Sequence, residues 1–449
     1  MPRIFYGWWI VAAGGVVQGY AAATFWRGFT AFFNPIVATF GWSSGATAAA
    51  LSLQRGEGGM ISPFVGTIIG RFGPRRVMSF GIFVTGLSFI LMSQMTSLWQ
   101  FYLAMTLLTV GMSFGTFIVL VTTVGNWFIQ KRSRALAILM ACTGVGGFLV
   151  PVLVGAIDVW GWRDVMFGVG VGYWVVGFPA MLFMRTRPED YGQLPDGLLL
   201  EEEGTGRRTV IREVNFGVRQ VLKTRFFWQF SIALSLGQMV SSTNLLHLPA
   251  LDDFGISLGL AAGVIAAVAA GDFIGRLGIG VIGDRFDKRH LIAISFMVQT
   301  VGVFALSLTN AEILGVTLPL ALTLPIFAMG FGLGFGSSIP LRLAMLGEYF
   351  GRRSYGSIIG ITSTVSAGFA AIGPIFVGVS FDILDTYRPA FLILGVILIA
   401  AVPMTLTLER PERVAAKIRM ADRKRSAART AANAAASPDT PGQGGQTGR

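Results

Sequence analysis

The sequence predicts an all-α membrane protein with twelve transmembrane helices in two pseudo-symmetric bundles of six. The first observation is composition: 53% of the 449 residues are hydrophobic, 13% are charged, and the mean hydropathy is +0.65. A soluble chain of this length could not keep so much apolar surface away from water, so its solvent must be lipid. The second observation is an internal repeat, in which motifs of the first half recur in the same order in the second half.

The clearest repeat is a short basic loop between two apolar runs. Its first copy is Gly66-x-x-x-Gly70-Arg71-Phe72-x-x-Arg75, and its second copy is Gly280-x-x-x-Asp284-Arg285-Phe286-x-x-Arg289. Further repeated pairs are Trp8 with Trp228, Gln18 with Gln238, Phe40-Gly41 with Phe254-Gly255, and Pro151 with Pro374. Two equivalent halves that face each other across a path are typical of transporters.

Each transmembrane helix is predicted from an apolar window of about 20 residues, the length that crosses a hydrocarbon core. The windows are 8–33, 46–69, 77–96, 99–125, 135–159, 163–185, 226–250, 257–281, 290–308, 313–347, 354–381 and 387–408. Most basic residues lie in the even-numbered loops: Arg71, Arg75, Arg76, Lys131, Arg132, Arg134, Arg285, Lys288, Arg289, Arg352 and Arg353. Because positive loops stay in the cytoplasm, both termini are predicted to be cytoplasmic. We expect the plasma membrane, which would be the inner membrane of a bacterium.

Composition also divides the chain into four parts. The predicted parts are an N-terminal six-helix bundle over 1–185, a cytoplasmic linker over 186–225, a C-terminal bundle over 226–408 and a cytoplasmic tail over 409–449. The linker interrupts the apolar pattern with Pro188, Pro195 and the acidic run 201–203. The tail is basic at first, where it could contact anionic lipid headgroups, and then rich in Ala, Ser, Pro and Gly, which indicates disorder.

Several classes of protein are excluded or disfavoured. The net charge of +12 lies in loops and tail, so it does not indicate nucleic acid. Cys142 is the single cysteine, which excludes disulfides and cysteine-based metal sites. No motif pairs a nucleophile with a base or a cofactor, so we expect no enzyme, no cofactor and no metal. A non-transporting membrane sensor remains a remote alternative, because the soluble stretches are short. We expect a monomer whose partners are lipid, a small substrate and a proton.

The doubled loop, the twelve spans and the long central linker resemble the major facilitator superfamily over residues 5–410. Within it, four patterns resemble the monocarboxylate transporters and the oxalate:formate antiporters. These are Tyr6-Gly7-Trp8-Trp9, Phe40-Gly41-Trp42-Ser43, Asn126-Trp127-Phe128-x-x-Lys131-Arg132 and Asp272-x-x-x-Arg276. The resemblance implies the major facilitator fold and transport of small carboxylates by alternating access.

Asp272 and Arg276 lie inside the eighth predicted span, where a charge costs at least about 2.5–3.5 kcal/mol on insertion scales. Four residues apart on a helix, they share a face. They could be an ion pair that only neutralises itself for insertion. Alternatively, Arg276 grips a substrate carboxylate with its planar fork, and Asp272 carries a proton. The resemblance to monocarboxylate transporters implies these second roles for the matching acid and arginine.

Four further residues are candidates for the transport site. Arg27 and His247 occupy equivalent places in the outer thirds of spans one and seven, and we expect them to bind substrate near the outer entrance. The alternative is that Arg27 reaches to outer headgroups and His247 merely ends a helix. In span two, Glu57 lies at nearly the depth of Asp272, which makes it a second candidate proton carrier. Arg55 is a candidate for substrate binding, although residues two apart point to different sides of a helix.

The repeated loop has a separate predicted role, implied by the family resemblance. Its residues would hold the two halves together while the cytoplasmic side is closed: Gly66, Arg71, Arg75, Gly280, Asp284, Arg285 and Arg289. Gly70 stands where this motif usually has an acid. We therefore expect the closed state to depend more on the second copy of the loop.

These observations favour proton-coupled symport of a small mono- or dicarboxylate. The alternative is a proton-independent antiporter of the oxalate:formate or nitrate type. The predicted span 354–381 contains no basic residue, whereas the oxalate:formate antiporters use a lysine there. Nitrate carriers have arginines in spans two and eight, but Arg55 and Arg276 differ in relative depth by two helical turns.

Overall fold

The computed structural model describes residues 5–42, 61–197, 215–313 and 316–436. The helices of the first half are α1 (Tyr6–Ala21), α2 (Thr30–Phe40), α3 (Ile61–Phe72), α4 (Pro74–Ser93), α5 (Leu98–Gly115), α6 (Phe117–Trp127), α7 (Arg132–Phe148), α8 (Val150–Trp160) and α9 (Trp162–Leu182). Those that follow are α10 (Val218–Val221), α11 (Arg225–Ser241), α12 (His247–Asp253), α13 (Leu258–Ile282), α14 (Lys288–Ser307), α15 (Leu320–Phe350), α16 (Tyr355–Leu384), α17 (Arg388–Leu406) and α18 (Pro411–Ala436). Two-residue strands, β1 (Glu312–Ile313) and β2 (Val316–Thr317), pair antiparallel.

The described residues contain nine helical segments long and apolar enough to cross a membrane. They are α4, α5 with α6, α7 with α8, α9, α13, α14, α15, α16 and α17. Two other predicted spans are helices interrupted midway, since a π-helical turn (Ala22–Trp26) separates α1 from α2 and a 3₁₀ turn (Ser242–Leu246) separates α11 from α12. The remaining one, span two, is represented by α3, because residues 43–60 lie outside the described part. The helices are therefore consistent with twelve spans.

The same helix neighbours recur in both halves. Helix α4 packs on α5 and α9, as α14 packs on α15 and α17, and α1 packs on α7 as α11 packs on α16. Small residues permit this close packing. An added methyl group at Gly81 would overlap the backbone at Gly115, and one at Gly302 would overlap the backbone at Phe331. The repeat seen in the sequence is thus a repeat of helix packing.

Contacts between the halves are concentrated between α6 and α7 of the first half and α13, α15 and α16 of the second. They gather on what we call the loop side, the side that carries loops 66–75 and 280–289. Both motif glycines lie in this interface. A methyl group at Gly66 would overlap the backbone of Gly356, and one at Gly280 would lie 2.9 Å from Cβ of Ala137. The loop side is therefore closed by direct packing of the two halves.

Asp284 belongs to the second half, and its side chain forms hydrogen bonds with the first half. Its carboxylate accepts hydrogen bonds from the backbone N–H groups of Ser133 (2.7 Å) and Arg134 (3.1 Å) at the start of α7, where the helix dipole also favours negative charge. Gly70 occupies the matching place in the first loop and has no group within 4 Å of the position that a Cβ would take. At the start of α16, Asn215 Oδ1 instead accepts from the N–H groups of Arg352 and Arg353, each at 3.0 Å.

Two arginines at equivalent positions cross the loop-side interface in opposite directions. Arg132 is buried and donates to the carbonyl oxygens of Gly125 and Phe128, each at 2.9 Å. Its guanidinium also packs on Gly347 of the other half. Arg352 donates to the carbonyl oxygen of Asn126 at 2.8 Å in the other half. These two arginines tie helix ends together, a role that the positive loops alone do not predict.

The arginines of the repeated loops behave differently from one another. Arg289 donates to the carbonyl oxygen of Leu408 at 2.6 Å, beyond the end of α17 in its own half, and pairs with Asp287. Hydrogen bonds from Arg289 hold the pKa of Asp287 below its usual value. Arg71, Arg75 and Arg285 are exposed, and their side chains donate no hydrogen bond within the described ranges.

Replacing Asp284 with alanine is expected to open the loop side, because the substitution leaves two N–H groups of α7 without their carboxylate. Loss of such a cap costs about 1 kcal/mol, or about a fivefold change in the ratio of closed to open protein. The measurement is the maleimide labelling rate of Ser357→Cys, in a Cys142→Ser background, because Ser357 bonds Thr67 across the interface at 3.2 Å.

Asp287→Ala is the matched control. Asp287 caps the start of α14 within the second half, where its carboxylate accepts from the N–H of Arg289 at 3.0 Å. This variant should leave the labelling rate of Ser357→Cys unchanged. Equal acceleration by both variants would mean that Asp284 has no particular role between the halves.

Candidate functional site

The buried ion pair on α13 is at the centre of the candidate site. Arg276 donates from Nε to Asp272 Oδ1 at 2.8 Å and from Nη2 to Oδ2 at 3.0 Å, which is a two-point grip. The two residues are 3% and 5% exposed. Nη1 of Arg276 donates to the carbonyl oxygen of Met140 on α7 at 2.9 Å. The pair thus forms as the helical spacing predicts, and it also contacts the opposite half.

Arg27 joins this pair from the first half. Its Nη2 lies 3.2 Å from Asp272 Oδ2, so one carboxylate binds two arginines from different halves. The π-helical turn places Arg27, because the Arg27 N–H bonds the carbonyl oxygen of Ala22, five residues back. Such turns often occur at functional sites. The side chain of Arg27 is 35% exposed, against 4% for Asp272, so it connects the buried acid with more open space.

Glycines make room for these side chains. A methyl group at Gly147 on α7 would lie 3.1 Å from Cδ and Nη1 of Arg27. On α15, one at Gly336 would overlap the backbone of Asp272, and one at Gly332 would lie 2.9 Å from the nitrogen of Asp272. The close approach of α15 to α13 therefore depends on residues without side chains. Gly144 likewise leaves space for Phe273 of the other half.

This arrangement is suited to binding an anion. Asp272 neutralises one of the two arginines, and the three groups together carry one positive charge. An arginine presents a fixed fork of donors that suits any carboxylate, so the donors that Arg276 gives to Asp272 would suit a second carboxylate equally well. Within the described ranges, no group of three or more His, Cys, Asp or Glu side chains is placed to hold a metal ion.

Arg342 is a further arginine inside a long apolar helix, α15. It is not among the site residues predicted from the sequence. Its Nη1 donates to Oε1 of Gln238 on α11 at 3.1 Å, and its charge is near enough to that of Arg276 for the two to repel. The signal in the sequence is an arginine within an apolar run. The predicted span 313–347 hides that signal, since it places Arg342 near a helix end, where basic residues are common.

His247 lies apart from the charged cluster. It is 1% exposed and is enclosed by the rings of Phe327, Phe331 and Phe391, at centroid distances of 5.1, 4.6 and 5.7 Å. Its Nε2 has no hydrogen-bond partner in the described chain. The structure thus places His247 and Arg27, equivalent in the repeat, in different surroundings. Arg55 and Glu57 lie in 43–60, outside the described residues.

A cavity of about 910 Å³ opens on the loop side between α4 and α9. Arg75, Arg76 and Arg185 line its polar part, while Phe80 and Phe83 line its apolar part. All of its lining residues belong to the first half or the residues that follow it. A transport path runs between the two halves, so this cavity is not the candidate site despite its size.

Comparisons with known proteins identify the family of this chain. A model of the Major Facilitator Superfamily matches residues 16–338 and 279–438. The chain is 24% identical to monocarboxylate transporter 13 of Bos taurus over 406 residues, 90% of this chain and 89% of that protein. It is 24% identical to monocarboxylate transporter 2 of Homo sapiens over 412 residues, 88% of this chain and 84% of that protein.

The fold also matches a solved structure, that of the human organic anion transporter MFSD10 (TETRAN). The TM-score is 0.64 at 13% identity, and the match covers 90% of this chain and all of the other. At that identity the likeness shows the fold alone. Together with the family match, it confirms the predicted fold class and the predicted family resemblance.

Proposed function

Because the chain belongs to the Major Facilitator Superfamily and is an integral membrane transporter, we propose that it couples the transport of a small carboxylate to a proton, by alternating access. The observation that carries this proposal is the Asp272 carboxylate, bound by Arg276 in its own half and by Arg27 in the other. One titratable acid therefore controls two anion-binding side chains at the interface of the halves. The relatives named monocarboxylate transporters support a carboxylate as the substrate.

Proton binding and anion binding favour each other at such a site. When Asp272 takes up a proton, it loses the charge that Arg276 and Arg27 share. Arg276 then has its fork available for a substrate carboxylate, which restores the balance of charge in a buried place where an unpaired charge is costly. By linkage, a bound substrate anion raises the affinity of Asp272 for its proton by the same factor. Proton and carboxylate therefore move together.

The same contacts link occupancy to the opening of the two sides. The loop side, closed here by Asp284, Arg132 and Arg352, corresponds to the cytoplasmic side under the positive-inside rule. The conformation is then one that accepts substrate from outside. Arg27 and Asp272 form a bond between the halves, and protonation of Asp272 weakens it. The bond between Arg27 and Asp272 is thus weaker in the loaded carrier than in the empty one. Such a difference lets substrate binding shift the equilibrium between the two conformations of a carrier.

The remaining assignments follow from the sequence. We propose a bacterial inner-membrane protein, monomeric, with both termini in the cytoplasm, bundles at 1–185 and 226–408, and a linker and a tail between and after them. Arg55 remains a proposed substrate-binding residue and Glu57 a second proposed proton carrier. His247 remains a proposed outer-entrance residue, although its aromatic enclosure favours a contribution through packing.

The test is uptake of radiolabelled carboxylates into proteoliposomes, with and without an imposed pH gradient. We expect at least one small carboxylate to accumulate when the outside is more acidic than the inside, and a protonophore to abolish the accumulation. The excess of arginine over acid at the site would also suit anion exchange. Uptake that needs a preloaded counter-anion and ignores the pH gradient would establish exchange and reject symport.

A further inference from the structure

A second polar cavity, of about 220 Å³, lies between α6 of the first half and α11, α15 and α16 of the second. Gln238, Arg342, Ser363 and Ser366 provide polar groups in its lining, and Phe117 of α6 closes it from the first half. Because both halves contribute, this cavity lies on the interface where a carrier binds its substrate. None of the roles assigned above uses it.

Arg342 is incompletely satisfied in this cavity. Its one hydrogen bond runs from Nη1 to Gln238, a neutral amide, and no carboxylate of the described chain lies within ion-pair distance of it. A guanidinium has five N–H donors. Arg276 differs, since each of its three nitrogens donates a hydrogen bond, two to the Asp272 carboxylate and one to the carbonyl oxygen of Met140. Among these arginines, Arg342 is therefore the one that lacks an anionic partner in the described chain.

The balance of charge indicates how many negative charges the substrate brings. Among the residues that the structure describes at the site, Arg27, Arg276 and Arg342 carry three positive charges and ionised Asp272 one negative charge, which leaves two positive charges. The arginines on α13 and α15 repel each other, and like charges away from water are costly unless a counter-charge lies between them. When Asp272 is protonated, as the proposed function has it during substrate binding, a dianion matches two of the three arginines and leaves only Arg27, whose side chain is 35% exposed. A monocarboxylate leaves two arginines unmatched.

We propose that Arg342 and Gln238 form a second anion subsite and that the substrate is a small dicarboxylate, held at one end by Arg276 and at the other by Arg342. The inference rests on the proposed function, since it takes Arg276 as the place of the first carboxylate. Gln238 orients the guanidinium by holding Nη1, and the remaining N–H groups bind the second carboxylate. The hydroxyl of Ser363 is an additional donor.

The test measures binding to the purified full-length protein by calorimetry. The probes are the α,ω-dicarboxylates from oxalate to adipate, each compared with the monocarboxylate of equal chain length. We expect the wild-type protein to bind at least one dicarboxylate about tenfold or more tightly than its monocarboxylate counterpart, in line with one added charge-assisted contact. Absence of any such preference overturns the second subsite.

Two variants test whether the preference for a dicarboxylate depends on Arg342. Arg342→Gln removes the charge, and Gln238→Glu keeps Arg342 but places a carboxylate where it already makes a hydrogen bond. Both should lower the affinity for the preferred dicarboxylate about tenfold more than the affinity for its monocarboxylate counterpart. Arg388→Gln is the matched control, since Arg388 donates to the carbonyl oxygens of Ser307 and Asn310 at the opposite end of the second half. It should leave the ratio unchanged.

The possible outcomes separate this inference from the proposed function. If monocarboxylates bind better at acidic pH and dicarboxylates bind no better, the second subsite is wrong and the proposed function stands. If neither class binds, both are wrong. A dicarboxylate preference that survives in both variants would move the second contact away from Arg342. If Arg342→Gln fails to fold, as judged by size-exclusion chromatography, the existence of the second subsite is still decided by Gln238→Glu and by the preference of the wild-type protein.

Discussion

Arg276→Lys is expected to reduce substrate affinity by at least about 30-fold while the protein still inserts and folds. Lysine keeps the positive charge but lacks the planar fork that binds both oxygens of a carboxylate. Disrupting a buried, hydrogen-bonded charge pair costs about 2–5 kcal/mol, and each 1.4 kcal/mol is a factor of ten. The measurement is equilibrium binding of the carboxylate that the wild-type protein transports, by calorimetry on purified protein.

The control for this substitution is Arg388→Lys. Arg388 is also an arginine of the second half, and its side chain donates to backbone carbonyls away from the site. Its replacement should leave substrate affinity within about twofold of wild type, as expected of a substitution away from the site. Wild-type affinity in Arg276→Lys would show that Arg276 serves only to neutralise Asp272.

Asp272→Asn is expected to abolish accumulation driven by a pH gradient while exchange of labelled for unlabelled substrate continues. The amide oxygen can still accept hydrogen bonds from Arg276 and Arg27, but the amide cannot take up or release a proton near neutral pH, and it has no negative charge. The two arginines then lack their internal counter-charge, so substrate should bind more tightly at neutral pH than in the wild type. Binding should also lose the increase with acidity that proton coupling gives the wild type.

Asp253→Asn provides the comparison for this second substitution. Asp253 accepts hydrogen bonds from Thr386 and from the N–H of Tyr387, both outside the site, so accumulation should persist. Accumulation that still follows the pH gradient in Asp272→Asn would place the proton elsewhere. Glu57 would then become the leading candidate.

The residues that follow from local pattern are those that the sequence predicts well. Asp272 and Arg276 are four apart on one helix, and helical geometry alone brings them together. The loops at Gly66 and Gly280 follow from the repeat, which also anticipates the matching helix neighbours in the two halves. Periodicity and spacing describe relations within one helix or between copies of one motif.

Contacts between the halves depend on packing that no local pattern encodes. Arg27 reaches Asp272 because a π-helical turn rotates it and Gly147 leaves room for it. Asn215, in a linker of no clear pattern, supplies hydrogen bonds at the helix start where Gly70 provides no acid. Arg342 is visible as a charge in an apolar run, but its partner Gln238 lies on another helix, and its depth depends on where α15 ends.

The most direct test of the central claim is the number of protons taken up when substrate binds. Calorimetry of carboxylate binding near neutral pH, in two buffers of different ionisation enthalpy, measures that number on the purified protein. Coupling through Asp272 predicts that the wild-type protein takes up a proton with the substrate anion and that Asp272→Asn takes up none. A wild-type protein that binds substrate without taking up protons, or an Asp272→Asn variant that takes up as many as the wild type, would contradict it.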